Sequence, residues 1–300
     1  MSMLRAACAA GFALMLAAGT AWAQPVPPGV DVERDVEFGR GGDVPLMLDI
    51  WRPAKPAESP RPVIVAIHGG GWAGGDKAEA AFAAVGFVQR GYVVASVNYR
   101  LSATALFPAA VEDCKCAVRW LRANAKRLGI DPDRIGAMGA SAGGHLALML
   151  GCADRTAGLE GKGGNDGVSS WVKAVSSWCG PADFVRGELE FAPNIRPLLV
   201  NFLGGPCAEK PEPYRHASPI THASWDDPPM LLVHGDQDSV VPFEQSERMH
   251  ARLKELGVDV EFVRVRHGEH GMNPVGAPAT EPPFAEVVER TLAFFDRHLE

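Results

Sequence analysis

No run of lysine or arginine interrupts this 300-residue chain, and its 29 Lys and Arg are outnumbered by 36 Asp and Glu, for a net charge of −7. Binding along a nucleic acid needs a basic stripe to neutralise phosphates, so that class of partner is excluded. Among the six cysteines there is no C-x-x-C pair: Cys114 and Cys116 are spaced C-x-C, and no second pair follows at finger spacing. A zinc knuckle is therefore excluded. No internal repeat is visible. What is present, 47% hydrophobic and 22% charged residues, is the composition of a globular chain with ample apolar content for a core. Disorder, collagen and coiled coil are ruled out, and the length suits one large α/β domain.

A long uncharged stretch stands at the start of the chain. After Arg5, a segment rich in Ala, Leu, Met and Phe reaches the small residues at Ala21-Trp22-Ala23. That layout predicts a secretory signal peptide over residues 1–23 and a mature chain from Gln24, secreted or periplasmic. The stretch is diluted by Ala and Gly and holds too little Leu, Ile and Val for a comfortable membrane span. Cleavage removes Cys8 and leaves Cys114, Cys116, Cys152, Cys179 and Cys207, an odd set in which at least one thiol stays free. Cys179 and Cys207 are the expected disulfide pair, because both lie in or beside the long loop region at 181–229.

Short alternating segments, Val36-Glu37-Phe38 and Leu46 to Ile50, read as strands of an antiparallel edge. Beyond them come continuous apolar runs at Val63 to Ile67, Tyr92 to Val97, Ile135 to Met138 and Met230 to Val233. Runs of that kind belong to strands buried on both faces of a mainly parallel sheet. Between two of them Val111, Cys114, Val118, Leu121, Ala125 and Leu128 fall on one helical face, ended by Gly129, and Asp131-Pro132-Asp133 reads as a turn. Phe284, Val287, Val288, Leu292, Phe295 and Leu299 form a second such face. Strand and helix alternate as in a three-layer α/β sandwich with helices on both faces of the sheet. Two segments interrupt the alternation: residues 157–165, expected as a surface loop, and a proline-rich excursion over 181–229, expected as a lid or pocket wall.

Gly139-Ala140-Ser141-Ala142-Gly143 fits G-x-S-x-G, a weak motif alone. Its context gives it weight. A strand-like run precedes Ser141 and an apolar helical run from His145 follows, so Ser141 sits at a strand-to-helix turn, where helix N–H groups favour negative charge. Upstream, His68-Gly69-Gly70-Gly71-Trp72 directly follows a buried strand. Acyl transfer builds charge on a carbonyl oxygen, and the backbone amides of Gly70, Gly71 and Ala142 are the candidate oxyanion hole. A phosphate-binding reading of this loop finds no GKS or GKT ending. Trp72 is a candidate for lining the acyl or alcohol pocket, its other role being packing. A serine nucleophile needs a histidine base and a carboxylate to orient it. Two late strands run into His234-Gly235-Asp236-Gln237-Asp238 and His267-Gly268-Glu269-His270-Gly271, so the acid is Asp236 or Asp238 and the base His267 or His270. His267 and His270 lack the HExxH spacing and a third ligand for zinc, and no metal or organic cofactor is implied.

HGGGW, GASAGG, HGDQDSVVP and HGEHG, in this order, resemble the hormone-sensitive-lipase-like and feruloyl-esterase-like carboxylesterases of the α/β-hydrolase superfamily. The resemblance covers nearly the whole mature chain, and implies a mostly parallel eight-stranded sheet in one domain over 24–300. It puts the acid on Asp238, in H-G-x-x-D, and the base on His270, with Ser141 as nucleophile. Asp236 then caps the turn. The implied partner is a small-molecule ester or an acylated carbohydrate, with acetyl or aromatic acyl groups of plant polysaccharides as one source. Two other readings remain open. His-Gly-Gly-x-Trp also resembles the kynurenine formamidases, which cleave an amide, and some hydrolase folds bind without catalysis.

Overall fold

The structure, a computed structural model, describes residues 26–300; the leader expected over residues 1–23 lies outside the described residues. Eight strands form a single sheet: β1 (Val30–Gly41), β2 (Val44–Pro53), β3 (Arg61–Ile67), β4 (Val93–Val97), β5 (Ile130–Ala140), β6 (Ala174–Trp178), β7 (Met230–Gly235) and β8 (Val260–Val265). Their order across the sheet is β1-β2-β4-β3-β5-β6-β7-β8. β1 and β2 form an antiparallel hairpin whose second strand runs antiparallel to β4, and every other pairing is parallel. The edge strands expected from alternation and the central strands expected from apolar runs are all present.

Continuous apolar strands follow from burial on both faces. In β3, Val63, Val65 and Ile67 enter one core while Ile64 and Ala66 enter the other. The first core is closed by α2 (Ala109–Ala123), α3 (Ala125–Leu128), α4 (Ala142–Cys152), α8 (Glu244–Glu255) and the 181–229 segment. The second is closed by α1 (Lys77–Gln89) and α9 (Phe284–Leu299). α4 is apolar almost all round and is buried along nearly its whole length, as such a helix must be. α9 buries one face only, through Val287, Leu292, Phe295 and Leu299 among others. Among the described residues no helix is long and apolar enough to cross a membrane.

Local departures from the sequence reading have local causes. The single helical face from Val111 to Leu128 is carried by two helices, α2 and α3, broken at Asn124 and closed by Gly129 at φ 66°. Asp131-Pro132-Asp133 is not a turn ahead of the strand. It bulges out within β5, whose pairing with β3 jumps from Arg61↔Ile130 to Val63↔Ile135. The 157–165 loop is pinned to the body: Leu159 is buried, and Glu160 bridges the buried cations Lys115 and Arg119 of α2 at 2.9 Å each. The 181–229 segment contains α5 (Arg196–Leu203), α6 (Pro211–His216) and α7 (Pro219–His222). It sends Phe184, Phe191, Leu199, Phe202 and Tyr214 into the core, so it is packed on the body along its length. The expected Cys179–Cys207 disulfide is absent, and all five described cysteines are free. Cys179 is fixed at the end of β6, while Cys207 follows α5 beside Gly187.

Candidate active site

Five neighbouring parallel strands, β3, β5, β6, β7 and β8, deliver the candidate residues from their C-terminal ends, where a parallel sheet places its site. Ser141 follows β5 directly and caps α4 with φ 57° and ψ −125°. A side chain in that left-handed region carries strain, which the surroundings hold in place. The Ser141 amide donates to the Trp178 carbonyl at 2.8 Å, and its carbonyl accepts from His145 at 3.0 Å. The flanking glycines are sterically required. A Cβ at Gly139 would lie 2.4 Å from the Gly143 carbonyl, and one at Gly143 would lie 2.2 Å from the Ile67 oxygen. The elbow is thus pressed against the end of β3, which carries the glycine loop.

That loop runs Gly70 and Gly71 at φ 101° and 58° into Trp72 at φ 57°. Among the described residues, the amides of Gly70, Gly71 and Ala142 donate to no protein acceptor. His68 anchors the loop: its Nδ1 bonds the Gly69 carbonyl at 2.8 Å, its ring stacks on Tyr99, and the Tyr99 hydroxyl donates to the His68 and Gly69 carbonyls. Burial lowers the His68 pKa to about 4, so the ring is neutral at physiological pH. Trp72, expected at the pocket, is 4% exposed. Its indole stacks on Phe202 at 4.4 Å and donates to His145 Nδ1 at 3.2 Å, which leaves the His145 Nε2–H to donate to the Ala217 carbonyl at 2.7 Å. Trp72 therefore backs the wall between loop and insertion, and Leu198 of α5 takes the position against the loop. A Cβ at Gly71 would meet the Leu198 Cδ1 at 2.7 Å.

In the loop after β7, the Asp238 carboxylate is fully buried and fully bonded. Oδ1 accepts from the amides of Val240 and Val241 at 2.8 Å each, and Oδ2 accepts from His270 Nδ1 at 2.7 Å and His234 Nε2 at 3.1 Å. Burial alone would raise its pKa, but the bonds from His234 and His270 hold it well below the usual carboxylate range. For His270, burial disfavours the cation, yet the Cys179 sulfur and the Asp238 carboxylate beside it push its pKa well above the ordinary value. Glu269 ties the two loops together, accepting from the Ser239 amide at 3.0 Å and from the His270 amide.

The competitors have other partners. Asp236 accepts from the His267 amide at 2.7 Å and from the Arg264 guanidinium at 3.0 Å, so it caps the end of β8. His267 is bonded to Asp236 through its backbone, and it is His270 that the structure brings to Asp238. Two neighbours escaped the sequence reading. The Cys179 thiol, at φ 43° after β6, donates to the His270 carbonyl at 3.2 Å. Leu198 comes from a stretch whose scattered apolar residues carry no periodic signal. His234 bonds Ser246 and the Val241 carbonyl and also supports Asp238.

A parallel sheet with an antiparallel edge, a strained serine at a strand-to-helix elbow and an Asp–His pair at later strand ends define an α/β-hydrolase. Residues 48–253 match the model of the BD-FAE family, and the chain belongs to that family. Among curated relatives it is 30% identical over 243 residues to esterase LipQ of Mycobacterium tuberculosis, covering 80% of this chain and 57% of LipQ. It is 29% identical over 272 residues to esterase LipC of the same organism, covering 86% of this chain and 66% of LipC. The chain thus spans about three fifths of the length of these relatives. Among solved structures, a truncated carbohydrate esterase from gut microbiota superposes with a TM-score of 0.77 at 29% identity, covering 90% of this chain and 96% of that one. A propionate-bound esterase from Thermogutta terrifontis gives 0.73 at 29% identity, covering 90% and 94%.

Proposed function

We propose that this protein is a secreted serine carboxylesterase working through an acyl-enzyme. Ser141 Oγ attacks the ester carbonyl while His270 Nε2 takes its proton and passes it to the leaving alcohol. Asp238 holds the Nδ1–H and favours the imidazolium that forms. The amides of Gly70, Gly71 and Ala142 receive the oxyanion. Water, activated by the same imidazole, then releases the acid and restores Ser141. The observation that carries this reading is the 2.7 Å bond between His270 and Asp238, held past the C-terminal ends of the same parallel sheet whose β5 runs into the strained Ser141 elbow. No metal or organic cofactor is required for any of these steps.

Short or aromatic acyl esters, including acyl groups on plant polysaccharides, are the proposed substrates. Support comes from the similar carbohydrate esterase and the propionate-bound esterase, and from the leader-like residues 1–23. Leu198, packed over Gly71, sets the room for the acyl chain on this account. The test is a panel of acetyl xylan, methyl ferulate, p-nitrophenyl acetate and N-formylkynurenine. Ester turnover without formamide turnover is expected. Turnover of the formamide alone would assign the site to amide cleavage, and turnover of none would leave a binding protein.

A further inference from the structure

The hydrolytic steps give the Cys179 thiol no work, yet the fold brings it to the centre of the site. Its sulfur, a carboxylate oxygen of Asp238 and a ring nitrogen of His270 all lie within 4.8 Å of one another. The backbone holds it there: Cys179 sits at φ 43°, and its amide donates to the Val233 carbonyl at 2.7 Å. Resting on the esterase reading, we propose that Cys179, Asp238 and His270 form an inhibitory site for a soft divalent cation of the zinc class.

Thiolate, imidazole and carboxylate are the donors such an ion takes, commonly three from the protein with a fourth position open. Tetrahedral bonds of 2.0–2.3 Å place donors roughly 3.5 Å apart. The His270 Nδ1 and Asp238 Oδ2, now 2.7 Å apart, then need to separate by under about an ångström. His234, bonded to Asp238 at 3.1 Å, steadies the carboxylate from behind. The His270 side chain is 22% exposed, which gives an ion a way in.

The proton balance explains the inhibition. In the active form Nδ1 carries the hydrogen and Nε2 the lone pair that accepts the Ser141 proton. Coordination at Nδ1 displaces that hydrogen to Nε2, and the thiol proton leaves to solvent. From that neutral form one proton is released per ion, and the imidazole has no lone pair left for Ser141.

The experiment uses the full chain stripped with EDTA. Hydrolysis of p-nitrophenyl acetate is followed against added zinc chloride, with magnesium chloride as control. Cobalt(II) is titrated in parallel, reading the thiolate-to-cobalt charge-transfer band in the near ultraviolet. Zinc is expected to inhibit at micromolar concentration, EDTA to restore activity, and magnesium to do nothing. Cys179→Ser, which keeps a donor for the His270 carbonyl, should need at least about tenfold more zinc and lose the cobalt band. Zinc-insensitive hydrolysis, or equal sensitivity in the variant, overturns the proposal. Should the serine variant fail to fold, Cys179→Ala is read in the same way, and a wild-type protein with no cobalt band overturns the proposal by itself. A protein that turns over no ester but shows the Cys179-dependent band would sink the esterase reading and leave the metal site standing.

Discussion

The Asp238 carboxylate accepts four hydrogen bonds, two from backbone amides and two from imidazoles, and His270 rather than His267 is one of the two histidines bonded to it. Replacing His270 with Ala should lower kcat by several orders of magnitude, while His267→Ala should leave kcat within about tenfold, measured on p-nitrophenyl acetate. Asp238→Asn should cost roughly 10³–10⁴ in kcat, because the imidazole loses its tautomer and its counter-charge. The pH dependence follows from the raised His270 pKa. The base works only when neutral, so kcat/KM should rise with pH through an apparent pKa above the ordinary value of about 6.5. A profile already flat at neutral pH would contradict that assignment. These residues were legible to different degrees. G-x-S-x-G and the glycine loop are backbone requirements written directly in residue type, since no Cβ fits at Gly139 or Gly143. Asp236 against Asp238 and His267 against His270 are choices of side-chain direction two or three residues apart. Residue type alone leaves such choices open, and only the hydrogen bonds tell the members of each pair apart.

At the scale of elements, the 181–229 segment contributes the wall of the site through α5. Leu198→Ala should open space over Gly71 and shift the ratio of kcat/KM for hexanoate over acetate esters upward by roughly tenfold, the worth of a few buried methylenes. An unchanged ratio would remove Leu198 from the acyl pocket. The pinned 157–165 loop carries a stability prediction. Glu160→Ala leaves Lys115 and Arg119 buried without their carboxylate and should cost roughly 3 kcal/mol, read as a lower midpoint in urea unfolding with activity retained below the transition. The sequence marked both segments as interruptions, but not the short helices or buried contacts inside them. α6 and α7 have six and four residues, too short to show a period, and β6 reads AVSSW, whose two serines break the apolar run of a strand buried on both faces. α8 is highly charged and buries only a narrow stripe through Met249 and Leu253 among others. By contrast α4 and α9 and the strands β3 and β7 carry their burial openly in composition.

The molecule as a whole is a sheet that collects, at the C-terminal ends of its parallel strands, residues spread from Gly70 to His270. The chain order of Ser141, Asp238 and His270 survives folding as a spatial order, β5, then β7, then β8, with β6 between the first two and β3 supplying the glycine loop on the other side. This is why the sequence carried the architecture well: β3, β5, β7 and β8 each run into a short recognisable motif, and the parallel sheet aligns those ends without further instruction. The measurement that tests this convergence most directly is peptide mass spectrometry after treatment with a fluorophosphonate, which reacts only with a serine activated by a neighbouring base. The account predicts a single adduct on the peptide containing Ser141, absent in Ser141→Ala and formed far more slowly in His270→Ala. An adduct on another residue, or ester turnover with Ser141 unlabelled, would contradict it.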